Sequence, residues 1–271
     1  MTSTKAALFR SLHATGEVLV LPNAWDAASA RIIEQAGAKA VATTSAGVAW
    51  SLGRPDGDRL DREQAVAAVA RIAAAVDVPV SADIETGFGA DADGVAETVR
   101  QVIAAGAVGV NIEDSVGGGL RDVAEQAERY AAARAAADET GVALFVNARI
   151  DTYLLSVGDP ATRLDDTLAR AKAFVDAGVD GVFVPGAIER DTLAALVAGV
   201  SAPVNTLAWA GAPSVATLRD LGVARVTVGA RIALAAYSLA ARAATEMLTE
   251  GTYETTAATL AHDDLNTLLA N

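Results

Sequence analysis

The amino-acid sequence predicts an α/β fold, a single (β/α)₈ (TIM) barrel, and three observations predict it. The chain has 271 residues, close to the roughly 250 that this fold typically needs. Short runs rich in Val and Ile alternate with alanine-rich stretches along the whole length, without a break in composition. Similar glycine turns, of the kind that ends helices, introduce four of these runs: Ala36-Gly37-Ala38, Ala105-Gly106-Ala107, Ala177-Gly178-Val179 and Leu221-Gly222-Val223. We therefore expect residues 1–271 to form one domain.

The predicted strands are short, and several are apolar throughout, as expected for strands covered on both faces. They are Val18–Leu21, Ala40–Thr44, Val78–Ile84, Gly109–Glu113, Leu144–Ile150, Gly181–Val184, Pro203–Leu207 and Arg225–Val228. Helical stretches of roughly 10 to 20 residues separate them, such as Asp61–Val76, Asp91–Ala105 and Arg163–Ala177. The alternative fold is an open doubly wound sheet, which usually has a glycine-rich first turn. The first turn here, Pro22-Asn23-Ala24-Trp25-Asp26, lacks that feature.

The composition argues against several kinds of partner and site. The chain has no cysteine, which excludes disulfides and thiolate nucleophiles. Its formal net charge of −13 argues against nucleic acid as a partner. No apolar run is long enough to span a membrane and no signal peptide begins the chain, so we expect a soluble, cytoplasmic protein. The histidines, His13 and His262, lie near the two chain ends, which argues against a zinc site with histidine ligands.

Carboxylates lie at the ends of the third and fourth predicted strands, at the mouth of the barrel where active sites of this fold lie. Side chains alternate along a strand, so Asp83 and Glu85 share one face, and Glu113 comes from the next strand. A hard divalent cation would relieve their mutual repulsion, and oxygen ligands favour Mg²⁺, with Mn²⁺ as the alternative ion. The other interpretations are a structural ion-pair network and, for Glu113 and Asp114, a helix-capping turn.

Polar residues on two other strands predict a site for an anionic substrate. Asn147, Arg149 and Asp151 share one face of the fifth strand, and an arginine in this position can clamp a substrate carboxylate with two parallel hydrogen bonds. The alternative is a salt bridge from Arg149 to Glu113 or Asp151, and both interpretations can hold together. The seventh strand offers Asn205 to the same mouth.

Three loops at the mouth have a functional and a plain interpretation. The turn Thr44-Ser45-Ala46-Gly47 can aim backbone N–H groups and a hydroxyl at a developing oxyanion, or it is an ordinary turn. Gly117-Gly118-Gly119 is either the hinge of a lid or a disordered surface loop. Asp56 belongs to a loop that can reach the mouth, or that is simply a surface loop.

The segment Asp83-Ile84-Glu85-Thr86-Gly87-Phe88-Gly89 resembles the D-x-[DE]-[TS]-G-[YF]-G signature of the isocitrate lyase / phosphoenolpyruvate mutase superfamily. Neighbouring segments resemble that superfamily in order and spacing: Pro22-Asn23-Ala24-Trp25-Asp26, Thr44-Ser45-Ala46-Gly47, Ile112-Glu113-Asp114, Asn147-Ala148-Arg149-Ile150-Asp151 and Val226-Thr227-Val228-Gly229. The resemblance covers nearly the whole chain.

The resemblance implies a barrel whose last barrel helix is exchanged with a neighbour in a tetramer of paired dimers, so that residues 231–271 lie at a subunit contact. It also implies Mg²⁺ and a small 2-oxo acid or phosphonate substrate. Asp83 would be the principal metal ligand, with Glu85 and Glu113 holding metal-bound water. The predicted substrate-binding residues are Thr44, Ser45, Ala46, Gly47, Arg149 and Asn205, and the predicted catalytic residues are Ser45, Asp56, Glu113 and Arg149.

Two departures from the superfamily narrow the predicted function. The lyase branch carries a catalytic cysteine in a K-[KR]-C-G-H lid, which Ser115–Arg121 replaces here, and the lysine and asparagine of the phosphonomutase lid are absent too. The resemblance then favours an Mg²⁺-dependent 2-oxo acid decarboxylase or lyase that works through a metal-stabilised enolate. The alternatives are a phosphonomutase, a class II aldolase, and a non-catalytic paralogue that binds a 2-oxo acid.

Overall fold

All eight predicted strands are present in the computed structural model, which describes residues 2–270. The strands that form the main sheet are all parallel, and the other two form a short antiparallel hairpin. In chain order they are β1 (Leu19–Val20), β2 (Asn23–Ala24), β3 (Val41–Thr43), β4 (Val80–Asp83), β5 (Gly109–Glu113), β6 (Ser115–Val116), β7 (Gly119–Leu120), β8 (Phe145–Arg149), β9 (Gly181–Phe183), β10 (Val204–Leu207) and β11 (Arg225–Thr227).

The main sheet closes into a barrel through its first strand, which Pro22 divides into β1 and β2. The strand order is β1-β11-β10-β9-β8-β5-β4-β3-β2, so β1 pairs with β11 and β2 pairs with β3. Between them, the Leu21 N–H donates to the Val226 carbonyl at 2.9 Å, and the Pro22 carbonyl accepts from the Ala42 N–H at 3.1 Å. Residues 19–24 therefore form one continuous stretch that joins β11 to β3, and the predicted barrel is confirmed.

Helices connect the strands, and aspartates begin several of them. The side chains of Asp61 and Asp91 cap the two helices predicted to start there, each accepting a backbone N–H three residues on. The helices are α1 (Thr2–Leu12), α2 (Ala27–Gln35), α3 (Ser45–Ser51), α4 (Arg62–Ala75), α5 (Ala92–Ala104), α6 (Val123–Thr140), α7 (Arg163–Asp176), α8 (Arg190–Gly199), α9 (Val215–Asp220), α10 (Arg231–Thr249) and α11 (His262–Ala270), with a 3₁₀ turn at Glu254–Thr256.

The N-terminal end of the barrel is sealed by α1. Phe9 of this helix is fully buried against Leu21 and Phe145 from inside the barrel. His13, just after α1, is buried in the same plug and stacks on the Phe145 ring at a centroid distance of 4.0 Å. The opposite, C-terminal end therefore offers the open mouth. Across residues 2–270, no helix is long and apolar enough to cross a membrane.

Two segments differ from the simplest expectation. Gly117 and Gly118 have φ values of +57° and +82° and form the two-residue turn of the β6–β7 hairpin, so the expectation of a disordered loop is wrong, and the hinge stays a prediction. The long helix α10 leaves the barrel, and Ala233 is its one buried residue. Large apolar side chains along it are exposed: Ile232, Leu234, Tyr237, Leu239, Met247 and Leu248.

Candidate active site

Asp83 is the last residue of β4 and lies beside the start of α3. Its N–H donates to the Thr43 hydroxyl at 2.8 Å, and its carboxylate oxygen Oδ2 accepts from the Ser45 N–H at 3.1 Å. Strand register fixes the backbone, and the first N–H of the short helix fixes one oxygen of the side chain. The carboxylate is thereby oriented at the mouth.

Glu85 lies in a strained turn directly after β4. Its φ is +50° and that of Phe88 is +49°, a region that L-residues rarely adopt, and such strain persists only where the surroundings hold it. The Glu85 carboxylate accepts from the Asp58 N–H, and Asp58 Oδ2 accepts from the Thr86 hydroxyl at 2.7 Å. The buried guanidinium of Arg129, from α6, donates to the Thr86 and Gly89 carbonyls at 2.8 and 2.9 Å and so holds the turn.

Arg149, at the end of β8, lies between two carboxylates. Its Nε and Nη2 donate to the two oxygens of Asp151 at 2.7 and 2.9 Å, and its Nη1 lies 2.6 Å from Glu113 Oε2. The salt bridges expected from the sequence are therefore both present. A guanidinium has five N–H donors, so these contacts leave two for a further anion.

Burial and like charge raise the pKa values of two acids at the mouth, Glu85 and Glu113. Burial raises the pKa of Glu85 to about 8, and the charges of Asp58 and Asp83 add to it. Burial also raises the pKa of Glu113 to about 7, although Arg149 opposes that shift. Burial lowers the pKa of Arg149, but the charges of Glu113 and Asp151 outweigh it and hold this pKa above its usual range, so the cation is permanent. The mouth thus combines a fixed cation, Arg149, with two glutamates whose pKa values are raised.

The donor set fits Mg²⁺. Asp83, Glu85 and Glu113 offer only oxygen ligands, and a cation among them would favour their ionised forms. Within residues 2–270, no three His, Asp or Glu side chains converge as a ready-made cage for a metal. Mg²⁺ keeps several waters and takes one or two carboxylates from the protein, so an incomplete cage suits it better than it suits ions that need a full set of protein ligands.

The predicted oxyanion turn forms the start of α3. Ser45, Ala46 and Gly47 are its first three residues, and the first N–H groups of a helix have no partner within it. Gly47 is required here because a Cβ would lie 2.8 Å from the Cβ of Trp25 and 2.7 Å from the Cγ2 of Thr44. Thr44 itself is buried and precedes the helix.

The remaining predicted residues lie on two sides of the mouth. The Asp56 carboxyl interacts with the Ser45 side chain, and desolvation, with the nearby Asp83 charge, raises its pKa. Asn205 is buried in the barrel in register with Phe183 and Arg225, and in the described part of the chain neither polar atom of its side chain has a partner. Asp56 therefore lies beside the predicted oxyanion turn, whereas the part of Asn205 in substrate binding stays a prediction.

Three residues of this region escaped the sequence reasoning. Asp58 lies in the loop from which the sequence reasoning chose Asp56, and its contacts with Glu85 and Thr86 reveal its part. Arg129 and Arg170 lie on helices α6 and α7, distant in sequence from the strand ends that they contact. No local pattern in the sequence marks either arginine.

Comparison with known families identifies the barrel. The family model described as phosphoenolpyruvate phosphomutase matches residues 9–248. The chain belongs to this family. The prediction of the isocitrate lyase / phosphoenolpyruvate mutase superfamily, and of an enzyme of its lyase and mutase type, is therefore confirmed.

Individual relatives agree with this placement. The chain is 34% identical to an oxaloacetate decarboxylase of Bradyrhizobium sp., over 77% of this chain and 71% of that protein. A lyase/mutase-type protein of Burkholderia cenocepacia has a crystal structure with a TM-score of 0.93 and 41% identity, covering 100% of this chain and 97% of that one. A phosphonopyruvate hydrolase solved with oxalate and Mg²⁺ has a TM-score of 0.85 and 25% identity, covering 98% and 95%.

Proposed function

We propose that this enzyme is an Mg²⁺-dependent lyase that breaks the C–C bond joining C3 of a pyruvate-like unit to the rest of a small 2-oxo acid, with decarboxylation of a 3-carboxylated 2-oxo acid favoured. The observation that carries the proposal is the pairing of Arg149, with two unused donors, and the acids Asp83 and Glu113 in one mouth. The oxaloacetate decarboxylase relative and the oxalate–Mg²⁺ complex of the hydrolase support this chemistry.

Each group of residues at the mouth would have a separate role in the reaction. Asp83, Glu85 and Glu113 would hold the cation, which when bound supplies Lewis-acid polarisation of the 2-oxo oxygen. Arg149 binds the substrate carboxylate through its remaining N–H donors. As the C3–C4 bond breaks, CO₂ leaves and negative charge develops on the 2-oxo oxygen, which the Ser45 hydroxyl and the N–H groups of Ala46 and Gly47 would stabilise. A proton from water then returns to C3 and gives pyruvate.

Oxaloacetate turnover tests this proposal. Wild-type protein, Asp83→Ala and Asp220→Asn would be incubated with Mg²⁺ and oxaloacetate, and pyruvate would be followed by a coupled assay. Asp220 is a matched acid, exposed at the C-terminal end of α9 and remote from the mouth. We expect metal-dependent turnover in the wild type and Asp220→Asn, and a loss of about a thousandfold in Asp83→Ala, since the metal contributes several kcal/mol of charge stabilisation. Wild-type turnover no faster than that of Asp83→Ala would reject oxaloacetate as substrate.

A phosphonomutase is the second candidate, and the family match favours it. The β6–β7 hairpin has neither the lysine nor the asparagine of the phosphonomutase lid, which argues against it. Incubation with phosphonopyruvate, followed by ³¹P NMR, separates the two functions: loss of the C–P signal supports the mutase or a related hydrolysis. Oxalate binding without turnover of either substrate would support the non-catalytic paralogue instead, and pyruvate consumption with an added aldehyde would support an aldolase.

We further propose that α10 is exchanged between subunits. An apolar groove of about 670 Å³ lies beside the first barrel strand, lined by Val18, Val20, Pro22 and Ile33, where the helix after β11 is expected to pack in this fold. The apolar side of α10 is exposed instead. A second copy of α10 would fill that groove, because both surfaces are apolar and each would be buried against the other. Light scattering should give the mass of a dimer or tetramer, and Leu239→Glu should reduce it; a wild-type monomer contradicts the exchange.

A further inference from the structure

The Asp114 carboxylate is fully buried behind the mouth and has no part in the chemistry proposed above. Its Oδ1 accepts the Asp151 N–H at 2.9 Å, and its Oδ2 accepts from Nη1 of Arg170 at 3.1 Å. A buried charge is retained only when it is paired and hydrogen-bonded, and both conditions are met here. This residue is therefore the centre of a network and not the helix-capping turn considered from the sequence.

On one side, the network reaches Arg149. The Asp114 carboxylate fixes the backbone of Asp151, whose side chain holds two donors of Arg149. The direction of the two unused Arg149 donors is thus set through Asp151 by Asp114.

On the other side, the network reaches the hairpin β6–β7. Nη1 and Nη2 of Arg170 both donate to the Arg121 carbonyl at 3.0 Å, and the Arg121 N–H donates to the Asp114 carbonyl at 2.8 Å. These contacts close the base of the hairpin, which stands at the edge of the mouth. One guanidinium therefore joins the hairpin to the carboxylate that orients the substrate-binding arginine.

We propose that the Asp114–Arg170 pair is a positioning device for substrate binding, which fixes Arg149 through Asp151 and couples it to the hairpin. The kinetic part of this proposal rests on the proposed function, whereas the coupling itself does not. Bidentate binding of a carboxylate requires the arginine to be held within about 0.5 Å of its productive position, which the long Arg149 side chain does not achieve without support. Arg170 touches no substrate in this scheme and acts only through Asp114.

The opposite end of the barrel supplies a matched control. Asp180 accepts the Val146 N–H at 2.8 Å and pairs with Arg134, whose Nε donates to the Gly178 carbonyl at 3.2 Å. The chemistry is that of Asp114 and Arg170, but nothing in the mouth depends on it. Arg134→Met therefore removes an equivalent arginine without disturbing Arg149.

The test compares Arg170→Met, Arg170→Lys and Arg134→Met by hydrogen exchange, by oxalate binding in the presence of Mg²⁺, and by KM and kcat. We expect Arg170→Met to accelerate exchange of the Asp151 amide and to weaken oxalate binding and raise KM by about 10- to 100-fold, as loss of a supporting residue typically does. Arg170→Lys should recover part of the oxalate affinity and part of the protection of the Asp151 amide. Arg134→Met should accelerate exchange at Val146 only and leave binding unchanged.

Unchanged exchange at Asp151 in Arg170→Met, or equal losses of oxalate binding in Arg170→Met and Arg134→Met, would overturn the proposal. If Arg170→Met does not fold, Arg170→Lys carries the same comparison, because it keeps a cation beside Asp114 and loses the fork to the Arg121 carbonyl. If the wild type turns over no substrate, only the proposed function is rejected, because hydrogen exchange at Asp151 still tests the coupling between Arg170 and Asp151.

Discussion

Each end of the barrel holds an aspartate–arginine pair, fully buried at its aspartate at the mouth and partly exposed at the sealed end, and the two pairs have different consequences. Asp114 with Arg170 lies behind the mouth, and Asp180 with Arg134 lies at the sealed end; each aspartate also accepts a backbone N–H. At the sealed end the pair is joined by Arg10 of α1, 2.6 Å from Asp180, so it fastens the plug. At the mouth it holds the residue that orients Arg149.

The role of each buried pair therefore depends on the residues that it holds in place. The sealed end surrounds its pair with apolar side chains such as Phe9 and Phe145. The mouth surrounds its pair with acids of raised pKa and with residues at positive φ, Glu85 and Phe88. Both arrangements cost stability, whereas residues of positive φ in the turns before strands at the sealed end, such as Gly37, Gly106 and Gly178, are glycines, which adopt this conformation without strain. Four substitutions test this contrast.

Arg149→Lys should have the largest effect. A lysine cannot replace the planar fork that serves Asp151, Glu113 and a substrate together. We expect kcat/KM to fall by about 10²- to 10³-fold, comparable to the loss of a donor that stabilises transition-state charge. Steady-state kinetics with thermal unfolding check this. Near-wild-type kcat/KM in a folded variant would mean that Arg149 is only a structural ion-pair residue, like Arg134.

Asp180→Ala should affect stability and leave catalysis intact. The substitution leaves Arg10, Arg134 and the Val146 N–H at the sealed end without their acceptor. Because the pair is partly exposed, we expect a loss of about 3 kcal/mol in the free energy of unfolding, which is the lower end for a broken buried pair. Urea unfolding measures it, and kcat of the folded protein should match the wild type. A fall in kcat beyond twofold would remove the functional distinction between the two ends.

His13→Leu should change how stability depends on pH. Burial and the charge of Arg225 lower the pKa of His13 to about 3 from 6.5, so the folded protein keeps it neutral. Below pH 6.5 the unfolded chain binds a proton that the folded chain does not, and stability is lost as pH falls towards 3. Between pH 7.5 and 5 this amounts to about 2 kcal/mol.

The variant lacks this group, so its unfolding free energy should fall by about 2 kcal/mol less than that of the wild type over the same pH range. Urea unfolding at several pH values provides the comparison, with each protein referred to its own value at pH 7.5. Parallel curves for the two proteins would show that His13 is not held neutral in the plug.

Gly118→Ala should have the smallest effect. Its φ of +82° suits glycine, whereas Gly119 has no positive φ and a Cβ there would meet the Val116 carbonyl oxygen at 3.8 Å, an ordinary contact. We expect about 1 kcal/mol of local destabilisation of the hairpin in Gly118→Ala and almost none in the matched Gly119→Ala. Hydrogen exchange at Val116 and Gly119 distinguishes them. Equal exchange in both variants would contradict the two-residue turn.

The barrel was predictable because apolar strands and capped helices carry local signals. The glycine turns confirm this: Gly37, Gly106, Gly178 and Gly222 all have positive φ directly after helices. The hairpin was missed although two adjacent glycines are a known signal for its turn type, because three in a row were interpreted as flexibility. The division of the first strand follows from Pro22, which has no N–H to donate.

The site was predictable only in its first layer of residues. Strand alternation placed Asp83, Glu113 and Arg149 at one mouth; the structure pairs Glu113 with Arg149 and places the Asp83 charge near enough to act on both. The residues that hold this layer, Arg129 and Arg170, come from neighbouring helices and donate to backbone carbonyls. Carbonyl acceptors leave no trace in the sequence, so such contacts emerge only from the fold.

Metal binding tests the proposed role of Asp83 as a ligand of a divalent cation, without reference to any substrate. Binding of Mn²⁺, as a paramagnetic substitute for Mg²⁺, would be followed by the EPR signal of the free ion in the wild type, Asp83→Asn and Asp220→Asn. We expect Mn²⁺ binding in the wild type and Asp220→Asn, and an affinity at least about tenfold weaker in Asp83→Asn. Residues that only support metal ligands commonly change the metal affinity by that factor. Equal affinity in Asp83→Asn and the wild type would contradict this role of Asp83.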